Sequence, residues 1–339
     1  ASGSRNHKGG HVMKLPQGLD LDQYIELTSM MDASQIHSAG KWRDEVLERS
    51  KGQKIWGAKL PWSKTWETFR LREGELTLFA GANASRKSMI CGEIILHLLK
   101  HSKVCLASLE MKPSESLYRM LMQSAGAREG TPNESFIDEF TAFTDKNLVI
   151  FDQLDTVKPE RVLAIINYCA KELGCKYIFV DSLAKCGTGF QDYSAETEFV
   201  NKLQHSAKTL GIGIILVAHI RKPPQADDNW IPDKYSIRGA STLSDMADNV
   251  ILTASNPKRK QLKELTKITE LDEKQQEYLA KHKDQKLIIA KQRHAGGWEG
   301  TYNFYFHDNS LQLTEQENRP RRFYFENNEE TVDDDIDLF

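Results

Sequence analysis

The chain has 339 residues, enough for one large α/β domain with appended segments, because single hydrophobic cores stop growing at about 250 to 300 residues. With 40% hydrophobic and 27% charged residues, and no apolar run near the roughly 20 residues that cross a bilayer, the composition predicts a soluble protein without a membrane partner. The net charge is −3, but the last 14 residues from Glu326 hold seven acids and no base. The preceding body is therefore +4, which suits a nucleic-acid partner.

The cysteines are odd in number, lack the CxxC spacing of metal and redox motifs, and mostly fall in apolar runs, where Cys behaves as a small hydrophobe. This usage predicts a reducing cytoplasmic location and no structural zinc. The five are Cys91, Cys105, Cys169, Cys175 and Cys186.

The N-terminal part shows no series of strands that could close a sheet. Residues 1–11 are interpreted as a tag or the remnant of a preceding domain, and no secretion signal is present. Residues 12–70 are polar, with helical spacing around 41–47, which predicts a linker with a short amphipathic helix.

From Glu75 onward, short apolar strands alternate with helical stretches. This alternation predicts an α/β domain over residues 71–314, with a mostly parallel sheet covered by helices on both faces. The predicted strands are Leu76–Ala80, Val104–Leu109, Leu148–Phe151, Tyr177–Asp181, Ile212–Ala218, Val250–Thr253 and Lys286–Lys291.

Three later segments depart from this alternation. Residues 257–285 are rich in Lys, Glu and Gln with leucines at helical intervals, which predicts a solvated helical insertion. Tyr302, Phe304 and Phe306 alternate as in a late strand, with 311–313 as its hairpin partner. Residues 315–339 are predicted to form an acidic, disordered C-terminal tail.

A phosphate-binding loop is predicted between the first strand and the next helix. Backbone N–H groups and a helix N-terminus would face the phosphates, with Lys87 on the β and γ oxygens and Ser88 on Mg²⁺. The nucleotide-binding segment comprises Gly81, Ala82, Asn83, Ala84, Ser85, Arg86, Lys87 and Ser88.

Arg86 stands where the pattern GxxxxGK[ST] has its second glycine, which lets the backbone pass close to the phosphates. Three interpretations fit the sequence. The Arg86 side chain points outward and is tolerated, it adds a positive charge to the phosphates, or it has disabled the site.

Three apolar strands end in polar residues, which parallel strands bring to one edge of the sheet. Glu110 is positioned to orient an attacking water, Asp181 to hold Mg²⁺, and His219 to sense the γ-phosphate. Each residue alone also fits a structural role, as a cap or the end of a strand.

These residues lie in motifs that resemble those of hexameric replicative helicases of the DnaB kind. The resemblance covers about residues 74–306 and implies a RecA-like P-loop ATPase core that uses ATP or another NTP with Mg²⁺. The motifs occur in the same order: Ser108-Leu-Glu110-Met111, Val180-Asp181-Ser182, Val217-Ala-His219, Ile237-Arg238-Gly239 and Lys291-Gln-Arg293.

Within that family the chain looks most like the helicase half of bacteriophage primase-helicases and of mitochondrial Twinkle. Residues 10–24, with Leu15-Pro16-Gln-Gly18 followed by Asp20, are similar to the end of their toprim domain. The resemblance implies that residues 12–70 are the end of a toprim-like domain plus linker, from which the primase portion has been removed.

The resemblance also implies a role for each matching residue. Lys87 and Ser88 contact nucleotide and metal, Glu110 is the catalytic base, Asp181 holds Mg²⁺ and His219 senses the γ-phosphate. The pair Lys291 and Arg293 reaches the nucleotide of a neighbouring subunit. The alternative is that these two residues lie at an exposed end of the sheet and have no catalytic role. The DNA-binding residues of the long loop after His219 are Arg221, Lys222, Lys234, Arg238 and Gly239, with a second channel loop near 187–193.

The resulting prediction is a 5′-to-3′ helicase motor that moves on single-stranded DNA as a homo-hexamer or similar ring. The C-terminal acidic tail is expected to contact the DNA polymerase or another replication protein. Two alternatives are a RecA-type recombinase or regulatory ATPase, and a catalytically silent ring or loader subunit made plausible by Arg86.

Overall fold

The computed structural model describes residues 37–50, 56–126, 132–187, 192–221, 231–239, 242–294 and 297–321. The chain divides into two compact units, Ala1–Lys54 and Ile55–Phe339. The described part of the first unit is a 3₁₀ turn, Ala39–Trp42, followed by helix α1, Arg43–Ser50, so the short linker helix is present.

The second unit contains a nine-stranded sheet within the described residues. Its strands are β1 Leu76–Gly81, β2 Val104–Ser108, β3 Leu148–Asp152, β4 Tyr177–Asp181, β5 Gly213–His219, β6 Asn249–Ser255, β7 Gln285–Gln292, β8 Gly300–His307 and β9 Gln312–Thr314. The helices are α2 Lys87–Leu98, α3 Pro113–Ala125, α4 Glu134–Asn147, α5 Pro159–Lys171, α6 Tyr193–Leu210, α7 Leu243–Met246, α8 Pro257–Leu265 and α9 Glu273–Lys281.

The strand order is β3-β2-β4-β5-β1-β6-β7-β8-β9. The strands from β3 to β6 in this order are parallel, and β7, β8 and β9 are added in antiparallel orientation. This confirms the predicted mostly parallel sheet and the late hairpin. Strand β1 lies between β5 and β6, so the loop after β1 emerges at the middle of the nine-stranded sheet.

Two apolar layers cover the sheet, as alternation of side chains along buried strands requires. Phe79 and Val217 point into the layer formed with α2, α3 and α4, whereas Leu78 and Leu216 point into the layer formed with α5, α6 and α7. Helices therefore lie on both faces, as predicted. Within the described ranges, every helix is too short or too polar to span a bilayer.

The domain begins earlier than the expected boundary at residue 71. Leu60, Trp62 and Phe69, which the sequence placed in the linker, are fully buried in the core of the second unit. The Trp62 indole donates a hydrogen bond to the Leu313 carbonyl at 3.1 Å, and Ala58 pairs with Leu71. The periodicity of the sequence did not reveal these contacts, because the partners are distant in sequence or form an isolated bridge.

The C-terminal boundary also differs from the expectation that the tail begins at residue 315. The guanidinium of Arg321 lies 2.9 Å from the buried carboxylate of Glu93, and its backbone N–H donates to the Gln312 side chain at 2.8 Å. Glu317 pairs with the buried Arg259 of α8. Residues up to 321 thus belong to the domain, and the rest of the predicted tail lies outside the described residues. The predicted helical insertion is present as α8 and α9.

Candidate nucleotide-binding and catalytic site

The loop between β1 and α2 is a tight turn that starts at a glycine with no room for a side chain. A Cβ on Gly81 would lie 2.4 Å from the Ser85 hydroxyl and 2.8 Å from the Thr253 carbonyl oxygen. Ala84 and Arg86 have positive φ angles of 60° and 66°. The loop therefore has the compact, left-handed turns that direct backbone N–H groups toward an anion.

The ammonium of Lys87 is turned back over this loop. It donates to the carbonyls of Gly81 at 3.0 Å and Ala82 at 2.8 Å. Burial lowers the pKa of Lys87, although the nearby Asp181 and Glu110 act in the opposite direction. A bound phosphate would offer this partly desolvated cation stronger acceptors than two carbonyls.

The side chain of Arg86 lies toward the antiparallel part of the sheet. Its Nη1 donates to the Gln285 amide oxygen at 2.9 Å, and its guanidinium carbon is 3.9 Å from the centroid of the Phe306 ring. Gln285 in turn donates to the Ser85 carbonyl at 3.1 Å. Of the three interpretations of Arg86, the geometry favours a side chain held away from the phosphate position and tolerated there.

The polar ends of β2, β4 and β5 meet beside this loop. Ser88 at the start of α2 donates to the Asp181 carboxylate at 2.8 Å. Glu110, just after β2, accepts a hydrogen bond from the Ser182 hydroxyl and lies 3.4 Å from Nε2 of His219. The structure thus brings together five residues that the sequence singled out: Lys87, Ser88, Glu110, Asp181 and His219.

The two carboxylates have different electrostatic environments. The hydrogen bond from His219, helped by Ser182 and opposed by burial, lowers the pKa of Glu110 to about 2. Burial raises the pKa of Asp181, against the hydrogen bond from Ser88. Glu110 is therefore ionised at neutral pH, whereas Asp181 is a half-buried carboxylate that a nearby cation would stabilise.

The oxygens of Ser88 and Asp181 form a donor set that fits Mg²⁺. This cation prefers oxygen ligands and is usually held by one or two protein groups together with substrate phosphates and waters. Across the described residues there is no cluster of three or more His, Cys, Asp or Glu side chains arranged for a metal. A shared site, completed by phosphate oxygens, is the arrangement that these two residues can support.

Sequence reasoning assigned no role to three residues that contact the loop or Glu110. Thr253 and Gln285 lie beneath Ser85, since the Thr253 hydroxyl and the Gln285 amide both contact its carbonyl oxygen. Ser182 contacts Glu110. A polar Thr253 at the end of an apolar strand was a weak signal, whereas Gln285 lies in a polar run that offered none.

Lys291 and Arg293 lie at the opposite edge of the sheet. Gln292 pairs with Asn249 at the start of β6, and Asn249 pairs with Thr77 near the start of β1. At roughly 3.3 Å per residue, a six-residue strand such as β1 separates its two edges by about 20 Å. The structure therefore does not bring this pair to the phosphate loop of its own chain.

The loop after His219 begins as a narrow antiparallel pair. Ile220 bridges Ile237, and the Arg238 backbone N–H donates to the His219 carbonyl at 2.7 Å. Arg221 and Arg238 are exposed. Arg221 also donates to the Gly239 carbonyl at 3.3 Å.

The remaining predicted loop residues have different surroundings. Lys234 is half-buried in the 3₁₀ turn Lys234–Ser236. Gly239 has a φ of 121°, and a Cβ there would overlap the Glu196 carboxylate. Lys222 lies outside the described residues, as do residues 188–191 of the second predicted channel loop. Gly187 at the start of that loop has a φ of 61°.

The sheet order, the loop after the central strand and the polar strand ends define a RecA-like P-loop ATPase domain. The comparisons make the assignment more specific. Residues 67–315 match the family described as the DnaB-like helicase C terminal domain, which is most of the chain, and the chain belongs to this family.

A DNA helicase/primase of Enterobacteria phage T3 is 22% identical over 208 residues, covering 56% of this chain and 37% of the phage protein. The chain thus spans well under half the length of that relative. Two solved structures share the fold at 16% identity and a TM-score of 0.63. One is a DnaB-like replicative helicase studied for its interactions with primase, with coverage of 87% of this chain and 71% of that one. The other is the ATPase domain of G40P, with coverage of 88% and 99%.

Proposed function

We propose that this chain is the motor of a replicative DNA helicase that hydrolyses ATP or another NTP and moves 5′ to 3′ on single-stranded DNA. The proposal places it in a homo-hexameric or similar ring. The observation that carries it is the convergence of Lys87, Ser88, Glu110, Asp181 and His219 at one edge of the sheet, in a chain of the DnaB-like helicase family.

In the proposed mechanism the loop N–H groups and Lys87 hold the phosphates, and Lys87 exchanges two loop carbonyls for phosphate oxygens. Mg²⁺ held by Ser88 and Asp181 would neutralise charge on the phosphates. Glu110, which is ionised at neutral pH, orients the attacking water and serves as the catalytic base. His219 keeps Glu110 in position and occupies the place from which a γ-phosphate can be sensed.

Lys291 and Arg293 are proposed to act on the nucleotide of an adjacent subunit. The distance across the sheet supports this, because their own phosphate loop lies at the other edge. A cation delivered by a neighbour stabilises transition-state charge only when the interface is closed. Such a site couples hydrolysis to ring assembly.

The loop from Arg221 to Gly239 is proposed to grip the DNA backbone in the ring channel. Its candidate phosphate ligands are Arg221, Lys222, Lys234 and Arg238. The backbone hydrogen bond from Arg238 to the His219 carbonyl supports a direct connection between the nucleotide sensor and the DNA contact. A primase portion before this chain and a replication partner for its tail belong to the same proposal.

The two alternatives make different predictions. A recombinase or regulatory ATPase would form filaments on DNA, which electron microscopy distinguishes from closed rings. A silent ring subunit would bind nucleotide without turnover, but the orientation of Arg86 and the ionised Glu110 favour an active site.

Phosphate release in the presence of single-stranded DNA tests the proposed function. Lys87→Ala should abolish hydrolysis, and Glu110→Gln should bind nucleotide with unchanged affinity while turnover falls by about 10²-fold or more. Lys260→Ala, an exposed change on α8, is the matched control. Turnover by Glu110→Gln at the wild-type rate would contradict the assignment of the base.

Mixed rings test the action across the interface. Arg293→Ala and Lys87→Ala are each expected to be inactive alone. A Lys87→Ala subunit can still supply its cations to a neighbouring Arg293→Ala subunit with an intact phosphate loop. Mixing should therefore restore part of the activity, and its absence in rings shown to contain both chains would count against a role in trans.

A further inference from the structure

Lys291 and Arg293 are held by a cluster that the sequence did not indicate. We call it the cation cradle, and define it as the backbone carbonyls of Ser244 and Asp245 on α7 together with the carboxylate of Asp248. The Lys291 ammonium donates to both carbonyls at 2.8 Å. Arg293 donates from Nη1 to the Asp248 carboxylate at 2.7 Å and from Nη2 to the Asp245 carbonyl at 3.4 Å. Both cations are thus aligned on one short segment.

Asp248 is itself fixed on several sides. Only 3% of its side chain is exposed. Its Oδ2 accepts the backbone N–H of Leu76 at 3.0 Å, and its Oδ1 accepts the Gln204 amide at 3.3 Å. The backbone N–H of Arg293 also donates to the Asp248 carbonyl at 3.0 Å. Because its rotamer is set by β1 and α6, this carboxylate determines where the Arg293 guanidinium can lie.

The cradle leaves Arg293 able to contact a second group. The Arg293 side chain is 43% exposed. Its two side-chain contacts in the cradle use a minority of the five N–H donors of a guanidinium. The group can therefore remain bound to Asp248 while it donates to a phosphate of a neighbouring molecule.

The cradle is continuous with the DNA-contacting loop. Residues 240 and 241 connect Gly239, at the end of that loop, to Thr242 at the start of α7. The Thr242 hydroxyl lies 3.4 Å from that of Thr197 on α6, the helix that also supplies Gln204. The segment that would hold DNA thus leads directly into the segment that holds the two cations.

We propose that Asp248 is a positioning residue, which with α7 holds Arg293 and Lys291 in line for the nucleotide of the adjacent subunit. Through this cradle, DNA bound by one subunit accelerates hydrolysis at its neighbour. This proposal rests on the proposed action of Arg293 in trans. It adds a residue and a route by which DNA regulates turnover.

Asp248→Asn is the informative change because the amide oxygen can still accept the Leu76 N–H, while the charge that holds Arg293 is lost. DNA-stimulated kcat should fall by about 10- to 100-fold, the effect of displacing a catalytic group by roughly 1 Å. KM should remain within about twofold, because the change acts on the transition state and not on nucleotide binding. Glu270→Gln is the matched control, since it removes an exposed acid that is not part of the cradle.

Mixed rings separate positioning from a folding defect. Asp248→Asn subunits retain their own phosphate loop, so Lys87→Ala subunits should restore their DNA-stimulated turnover by supplying an intact cradle. Normal stimulation of turnover by DNA in Asp248→Asn would contradict the proposed role of Asp248. So would the absence of rescued turnover in rings shown to contain both chains. Normal nucleotide hydrolysis by Arg293→Ala would instead contradict the proposed action of Arg293 in trans. The two results therefore distinguish a failure of the proposed function from a failure of the role of Asp248.

Discussion

At the scale of single residues, Arg86 combines an unfavourable backbone with favourable side-chain contacts. Its φ of 66° costs a non-glycine residue roughly 1–2 kcal/mol. The contact with the Phe306 ring is worth about 0.5–2 kcal/mol and the hydrogen bond to Gln285 about 0.5–1.5 kcal/mol. The two effects are of similar size, which explains how an arginine can occupy the position of a glycine.

This balance predicts opposite behaviour for two truncations. Arg86→Gly loses the contacts but also the backbone strain, so the free energy of unfolding should change by less than about 1 kcal/mol. Arg86→Ala loses the contacts and keeps the strain, so it should destabilise by about 1–2 kcal/mol. Urea unfolding measures both. ATP turnover should stay within a few-fold of wild type in each, and its loss in Arg86→Gly would show that the guanidinium contacts the phosphates.

Glu110 gives a prediction about pH. Its pKa is lowered from 4.5 to about 2, chiefly by the hydrogen bond from His219. A lowered folded-state pKa adds stability above the unfolded value, and this stability is lost as the pH falls from 4.5 toward 2. Between about pH 5 and 8 the carboxylate stays ionised, so its protonation does not limit turnover there.

His219→Ala should raise the pKa of Glu110 toward its ordinary value, because the largest cause of the shift is gone. Carbon-detected NMR of the Glu110 carboxylate in both proteins would measure this directly. Lys260→Ala, outside the site, should leave the titration unchanged. A Glu110 that titrates near 4.5 in the wild type would contradict the hydrogen-bonded geometry.

At the scale of secondary structure, the strands and the polar residues at their ends could be predicted from local pattern. Tyr177–Asp181 shows why, since the Asp at the end of a short apolar run marks the residue at which the strand ends. The domain limits could not be predicted, because Trp62 and Arg321 are buried by partners far away in sequence. Asp248 and Gln285 were missed for the same reason. Their roles depend on contacts across the sheet. The periodicity of the sequence gives no information about such contacts.

The loop after His219 gives the prediction at this scale. Arg238 is exposed at the base of this loop, where its backbone N–H is bonded to the last residue of β5. Arg238→Ala should weaken binding of single-stranded DNA about equally for all sequences and reduce the slope of log K against log salt by about one, because phosphate contacts carry no base information. Fluorescence anisotropy over a salt series measures this. Lys260→Ala is the control for charge, and a loss confined to particular sequences would indicate base contacts instead.

At the scale of the whole molecule, the C-terminal segment has an anchored part and an acidic part with different expected roles. Arg321 pairs with the fully buried Glu93 of the phosphate-loop helix α2, whose pKa burial raises to about 8. At neutral pH this carboxyl is largely protonated, so removing Arg321 takes away a hydrogen-bond partner of a buried group, at a cost of about 1–3 kcal/mol. A deletion that includes Arg321 should therefore destabilise the domain, whereas a deletion from Glu326 onward should leave its free energy of unfolding unchanged.

The acidic end itself is predicted to bind a replication partner. Residues 326–339 combine seven acids with Ile336, Leu338 and Phe339, which a purely solubilising tail does not require. An apolar anchor beside negative charge suits a small hydrophobic pocket surrounded by Lys or Arg. Deletion from Glu326, or Phe339→Ala alone, should keep ATPase activity and unwinding while it removes a salt-sensitive interaction with the cognate DNA polymerase. A pull-down at low and high salt measures this interaction, with the charge-preserving Asp333→Glu as the control. Polymerase binding that survives the deletion at low salt would leave the tail with a solubilising role only.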